Sequence, residues 1–190
     1  MDWMKQMGDI LDRYGDATPD RPPETVQTDF DVLAQNAPPA AVSEGLSAAF
    51  RSDRTPEFAQ MASQLFGRAS GSQRAQMLNA LLATVGPLVL QQVLARRQRG
   101  PASGASPGGL GGALERILRG DAPPQVTPEV ADQITPDEVE EVAREAEKKD
   151  PSVIDRVSEV YARQPQLLKV LGGVALAIAL GRVAQKRNTL

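Results

Sequence analysis

Apolar residues in this chain recur at intervals of three and four, a spacing that predicts helices from one end to the other. Trp3, Met7, Ile10 and Tyr14 fall on one stripe of residues 2–14, with Met4 and Leu11 beside it, as in an amphipathic helix. Phe30, Leu33 and Ala34 mark a short helix over 29–36, and Val42, Leu46, Ala49 and Phe50 mark another over 40–50. Phe58, Met61, Ala62, Leu65 and Phe66 form the next apolar face. Its predicted start has Thr55 as N-cap, Pro56 at the first helical position and Glu57 in the first turn. Ala75, Leu78, Leu81, Leu82 and Val85 face inward from a helix that begins at Ser70 or Ser72. Gly86 and Pro87 are expected to break or kink it before "LVLQQVLARRQR" resumes the pattern.

The second half is punctuated by proline. Leu110, Leu114, Ile117 and Leu118 give a short helix, followed by the break "GDAPPQV". Thr127 and Thr135 each precede a proline, as does Asp150, and each side chain can accept from early helical amides where proline has none to offer. Thr135 with Glu138 three residues later is a capping box. The pattern predicts helices over 136–148, 152–163 and 166–186, with connections short enough to make them antiparallel neighbours. The expected layout is an amphipathic helix (1–14) tethered by a Pro-rich linker (15–27) to a helical domain (28–99). A flexible linker (100–109), a short helix with its linker (110–126) and a C-terminal helical unit (127–190) follow. The fold class is therefore all-α: a small helical domain plus a C-terminal helical hairpin or three-helix unit, joined by Pro/Gly-rich linkers.

The stretch "LLKVLGGVALAIALGR" (167–182) poses the main question about function. Its unbroken apolar run, Val170 to Leu180, has 11 residues. At 1.5 Å per residue it covers roughly 16 Å, about half of a ~30 Å hydrocarbon core. Taking in Leu167 to Val183 includes Lys169 and Arg182, which could snorkel to opposite interfaces, so a marginal span stays open beside burial in protein. Gly173, Ala177 and Gly181 recur every four residues as an edge of small side chains that permits close backbone approach. Leu167, Leu171, Val174 and Ile178 form a bulkier stripe. The balance favours burial against protein, in the fold or in an assembly.

Composition narrows the chemistry. Aromatics are 4% of the 190 residues, so the core must come from Leu, Val, Ala, Met and Ile, a helix-favouring set. Neither Cys nor His occurs, which removes thiol nucleophiles, disulfides, Cys/His zinc sites and imidazole acid–base chemistry. The segment "GGLGG" lacks the following Lys and preceding strand of a phosphate loop. The expectation is a protein that is not an enzyme, with no cofactor and no bound metal. A net charge of −3 gives no electrostatic case for nucleic acid as partner. The opening "MDWMKQMGDILDRYG" has no secretory pattern, so a cytoplasmic location is expected, with the inner face of the cytoplasmic membrane as its variant.

Two kinds of surface stand out as candidates. Trp3, Met7, Ile10, Leu11 and Tyr14, together with Leu171, Gly173, Val174, Ala177, Ile178 and Gly181, are candidates to meet a protein partner or a second copy, with docking of the first helix on the protein's own body, or on a membrane surface, as its alternatives. Arg96, Arg97 and Arg99, with Arg182, Lys186 and Arg187, are candidates for an anion or an anionic lipid headgroup, set against the plainer reading of cations at helix C-termini. The acids of 137–147 precede Lys148 and Lys149, which suits the helix dipole and reads as structural.

Two stretches, "EGLSAAFRSDRTPEFAQMASQLFGRASGSQRAQMLNALL" and "DPSVIDRVSEVYARQPQLLKVLGGVALAIAL", resemble a family of uncharacterised bacterial all-helical proteins. "LLATVGPLVL" and "GGLGGALERIL" are also similar to the YidB-like group. The resemblance implies a bacterial, helical protein and brings no catalytic residue with it. The expected function is a non-enzymatic interaction or assembly protein that self-associates or binds a protein partner through its terminal helices. The alternative is a membrane-peripheral or weakly tail-anchored adaptor that uses residues 167–187.

Overall fold

The structure, a computed structural model, describes residues 2–15, 21–98 and 125–187, with side chains over 8–15, 21–84 and 125–185. It is all-α, with no strand among the described residues. The chain forms two compact units. Residues 1–57 and 158–190 build one, and the continuous segment 58–157 builds the other, so the second unit is an insertion within the first. These units cut across the layout read from proline and glycine. Helices 40–50 and 58–68, both placed in one domain by the sequence, belong to different units, and the C-terminal block is likewise divided. Linker composition reports where the chain bends; it does not report which apolar faces match.

The discontinuous unit holds α1 (Asp2–Gly15), α2 (Val26–Asn36), α3 (Pro39–Phe50) and the chain from Ser158 onward. The greasy C-terminal stretch is its centre. The expected single helix over 166–186 is interrupted: one turn (Pro165–Leu168), a 3-10 turn (Lys169–Leu171), then the last helix, Gly172–Arg187. Gly172 has φ 81 and ψ 164, a backbone region open essentially to glycine alone, so a side chain there would strain the corner. The last helix packs on α3, and also on α1 and α2. Val42, Leu46, Ala49 and Phe50 on α3 are buried, as are Ala175, Leu176, Ala179 and Leu180 on the last helix. Their approach is very close, because a Cβ at Gly45 would stand 2.6 Å from the Ala179 carbonyl oxygen.

Two expectations about the first 57 residues change. Residues 21–27 are not a free tether: Pro22 seats where a Cβ at Gly173 would come within 2.9 Å of it, and Val26 is buried at the start of α2. Thr55 does not cap a helix; its hydroxyl donates to the carbonyls of Ala49 (2.7 Å) and Ser52 (2.9 Å), closing the turn that ends α3. The next helix, α4 (Phe58–Arg68), accordingly begins at Phe58.

The inserted unit holds α4, α5 (Gly71–Gln98), the single turn α6 (Pro128–Ala131) and α7 (Pro136–Lys149). Ser70 opens α5 by donating its amide to Gln73 Oε1 at 2.8 Å. The helix then runs through Gly86 and Pro87 without a break, the first of the two expected outcomes. Proline removes one internal hydrogen bond, but the Leu, Gln and Ala residues after it are strong helix formers and carry the helix on. α7 starts as predicted: Glu138 donates its amide to Thr135 Oγ1, and Thr135 donates its amide to Glu138 Oε2 at 2.7 Å. α7 packs on α4 and α5, burying Val139, Val142, Ala143 and Ala146. The expected C-terminal three-helix unit is therefore divided. α7 pairs with α4 and α5, while the last helix pairs with α3. The eighth helix, α8 (Val153–Ala162), contains the point where one unit ends and the other resumes.

Two polar anchors fix the inserted unit. The Asn79 amide accepts from Val126 N (2.7 Å) and donates to Val126 O (3.1 Å), holding an extended backbone against α5. The Arg74 guanidinium donates to the carbonyls of Phe66 and Gly67 and to Asp132 Oδ1, and lies 5.2 Å from the centre of the Phe66 ring. The expected helix over 110–118 and the linker 100–109 lie outside the described residues.

The close crossing yields a stability test. Gly45→Ala should lower unfolding free energy by about 1–3 kcal/mol through overpacking, and Gly172→Ala by a similar amount through backbone strain. Gly15→Ala, where an added Cβ meets nothing within 4 Å, should be neutral or slightly stabilising. Urea midpoints of the three variants report the order, and a neutral Gly45→Ala would contradict the packing.

Candidate functional site

Part of the set considered for partner contact is packed within its own unit, where α1 and the last helix meet. α1 packs on the last helix and on α2, and Ile10, Leu11 and Tyr14 are all buried. The small-residue edge of the last helix is covered from inside the unit. Gly173 faces Pro22 and Val26, Ala177 is buried, and Gly181 lies where a Cβ would stand 3.2 Å from the Tyr14 carbonyl oxygen. Leu171 is buried as well, whereas Val174 and Ile178 stay half-exposed. Half-exposed Leu167 and Val170 precede them, on the turns before Gly172. The side chains of Trp3 and Met7 lie outside the described residues.

One carboxylate organises this end of the unit. Asp29 Oδ2 accepts from Tyr14 Oη, from Arg13 NH1 and from Thr25 Oγ1, each at 2.8 Å. Arg13 NH1 also reaches Thr25 Oγ1 at 3.2 Å. Asp29 is buried, so three donors, one of them a cation, offset its desolvation. Nothing in the sequence pattern singled out Asp29; its place one residue before the core residue Phe30 was the available signal. Burial, reinforced by the bond to the Asp29 carboxylate, pushes the Tyr14 hydroxyl up to about 12. Burial alone pushes Tyr161 upward too.

The anion candidates behave unevenly. Arg182 is exposed and lies 3.8 Å from Glu44 on α3, and Lys169 pairs with Asp31 on α2 at 2.8 Å. Each cation flanking the apolar face thus already has an acid beside it. Arg96 and Arg97 sit in α5 and Lys186 and Arg187 in the last helix, with their side chains outside the described residues; Arg99 lies wholly outside. No group of three or more acidic side chains is placed to hold a metal ion among the described residues. The charge pattern of α7 is structural in form: Arg144 pairs with Glu140 (2.6 Å) and Lys148 with Glu145 (3.1 Å) along the helix.

No family model, no curated protein and no solved structure matches the chain.

Tyrosine ionisation provides a measurement. The folded Tyr14 holds its proton to about pH 12 against 10.0 for an ordinary tyrosine, so the unfolded chain loses that proton first. The stability it contributes is complete below pH 10 and falls as pH rises toward 12. With two tyrosines in the chain and both raised, tyrosinate absorbance should stay low past pH 10 and then appear together with unfolding. Tyr14→Phe should cost about 1–2 kcal/mol at neutral pH and flatten the alkaline loss.

Proposed function

We propose that this chain is a non-enzymatic helical interaction protein, which self-associates or binds a protein partner through the half-exposed face of its last helix. The observation that carries the reading is what remains after internal packing. An 18-residue apolar window within Pro165–Gln185 is 44% buried, and Val174 and Ile178 are among its half-exposed members. The paired cations at either end, Lys169 with Asp31 and Arg182 with Glu44, supply the apolar centre with a charge-balanced polar rim, as protein interfaces have. Absence of Cys and His, with the resemblance to helical proteins of unassigned chemistry, fits an interaction role better than catalysis.

The membrane-peripheral alternative draws on the same segment, which by length and composition alone is apolar enough to cross a bilayer. Two features weigh against it. Gly172 breaks the segment, so the helix beyond it has 16 residues, roughly 24 Å of rise against a ~30 Å core. Insertion would also withdraw Ala175, Leu176, Ala179 and Leu180 from a packed interior. Neutralised flanking cations offer little to anionic headgroups.

Flotation with anionic liposomes and light scattering on the intact chain separate the readings. The expected result is no flotation, and a mass above the monomer or a protein captured from the native host that Ile178→Glu abolishes. Flotation lost in Ile178→Glu would favour lipid; a monomer with neither property would end both readings.

A further inference from the structure

The seat of α1 is made wholly of chain that follows residue 21. Asp29 and Thr25 on the α2 side take the hydroxyl of Tyr14 and the guanidinium of Arg13, and Gly181 on the last helix admits the Tyr14 carbonyl. Such a seat reads the helix and is indifferent to which copy supplies it. We propose that α1 is an exchangeable element: the groove formed by α2 and the last helix also receives α1 from a second copy of this chain, giving a reciprocal dimer. The proposal rests on the self-association reading above and names the second copy as the partner.

The occupant follows from the contacts. A second copy carries the same Ile10, Leu11, Arg13 and Tyr14, so exchange reproduces every contact without a new surface. A helix of 14 residues is marginal alone in water, so α1 needs this groove, its own or a neighbour's. Chain length permits both. Tyr14 sits at Gly181 and Pro22 at Gly173, eight residues apart on the last helix and so about 12 Å along its axis. From Tyr14 to Pro22 the chain has eight steps, an extended reach of about 27 Å. The intervening chain is therefore longer than closure within one copy requires, and the same length allows α1 to reach a second copy. Attachment sets the internal effective concentration near the millimolar range, so exchange should emerge in concentrated protein.

Shortening the connector makes this decisive. Deleting residues 15–20 leaves Tyr14 two steps from Pro22, a reach of about 7 Å, which cannot cover about 12 Å. The deletion variant should retain its helix content by circular dichroism and scatter light as a dimer even at micromolar concentration. Adding Ile10→Asp should return it to a monomer. A folded deletion variant that stays monomeric, or a dimer unaffected by Ile10→Asp, would overturn the proposal. Should the deletion fail to fold, the full-length chain still decides. It has no Cys, so Asp9→Cys can be labelled with donor in one batch and acceptor in another. Energy transfer should rise on the order of tenfold between about 0.01 and 1 mM and vanish with Ile10→Asp; absence of transfer at 1 mM, or transfer unaffected by Ile10→Asp, overturns it. Association lost in Ile178→Glu but kept in Ile10→Asp would leave the self-association reading standing and exchange refuted.

Discussion

A missing methyl group at residue 45 sets how closely α3 and the last helix can lie. With any side chain at Gly45 the Ala179 carbonyl would be struck at 2.6 Å, and the helices would have to separate. Interiors are close-packed, so separation along one crossing is felt by every layer that shares it. Here those layers are Leu46 and Ala49 on one side, and Leu176, Ala179 and Leu180 on the other. α1 and α2 pack on the same last helix, so their placement inherits that spacing. The Asp29 cluster works at its fixed distances only because the helices bearing it are already set.

Local features of the chain were open to reading in advance. The Thr135–Glu138 box, Pro128 and Pro136 at first helical positions and the apolar faces of 40–50 and 58–68 are matters of a few neighbouring residues, and short-range chemistry decides them. Residue 55 shows the limit of that logic. A threonine before proline can cap the helix ahead or bond backward, and here the hydroxyl goes back to the carbonyls of Ala49 and Ser52.

Pairing between helices was much less open. Periodicity identifies a buried face but not the face it meets, and short loops suggested neighbours that the chain does not use. α7 found α4 and α5, far earlier in the chain, and the last helix found α3. The candidate surface suffered the same way. The stripe of Ile10, Leu11 and Tyr14 requires cover without naming it, and the cover comes from the last helix and α2. Asp29 and Asn79 stayed invisible because each acts on a partner remote in sequence or on a bare backbone, and neither leaves a pattern.

An insertion inside a discontinuous unit carries a consequence for biosynthesis. The 100 residues from 58 to 157 are contiguous, so all of that unit leaves the ribosome in one stretch. α2 and α3 emerge earlier, but their main packing partner is translated only after the whole insertion. At elongation rates of about 5–20 residues per second that wait is on the order of 5 to 20 s, during which Leu46, Ala49 and Phe50 lack the last helix that covers them. In a nascent chain of this design early helices wait on a late one, and synthesis halted before residue 172 would leave α2 and α3 without their cover.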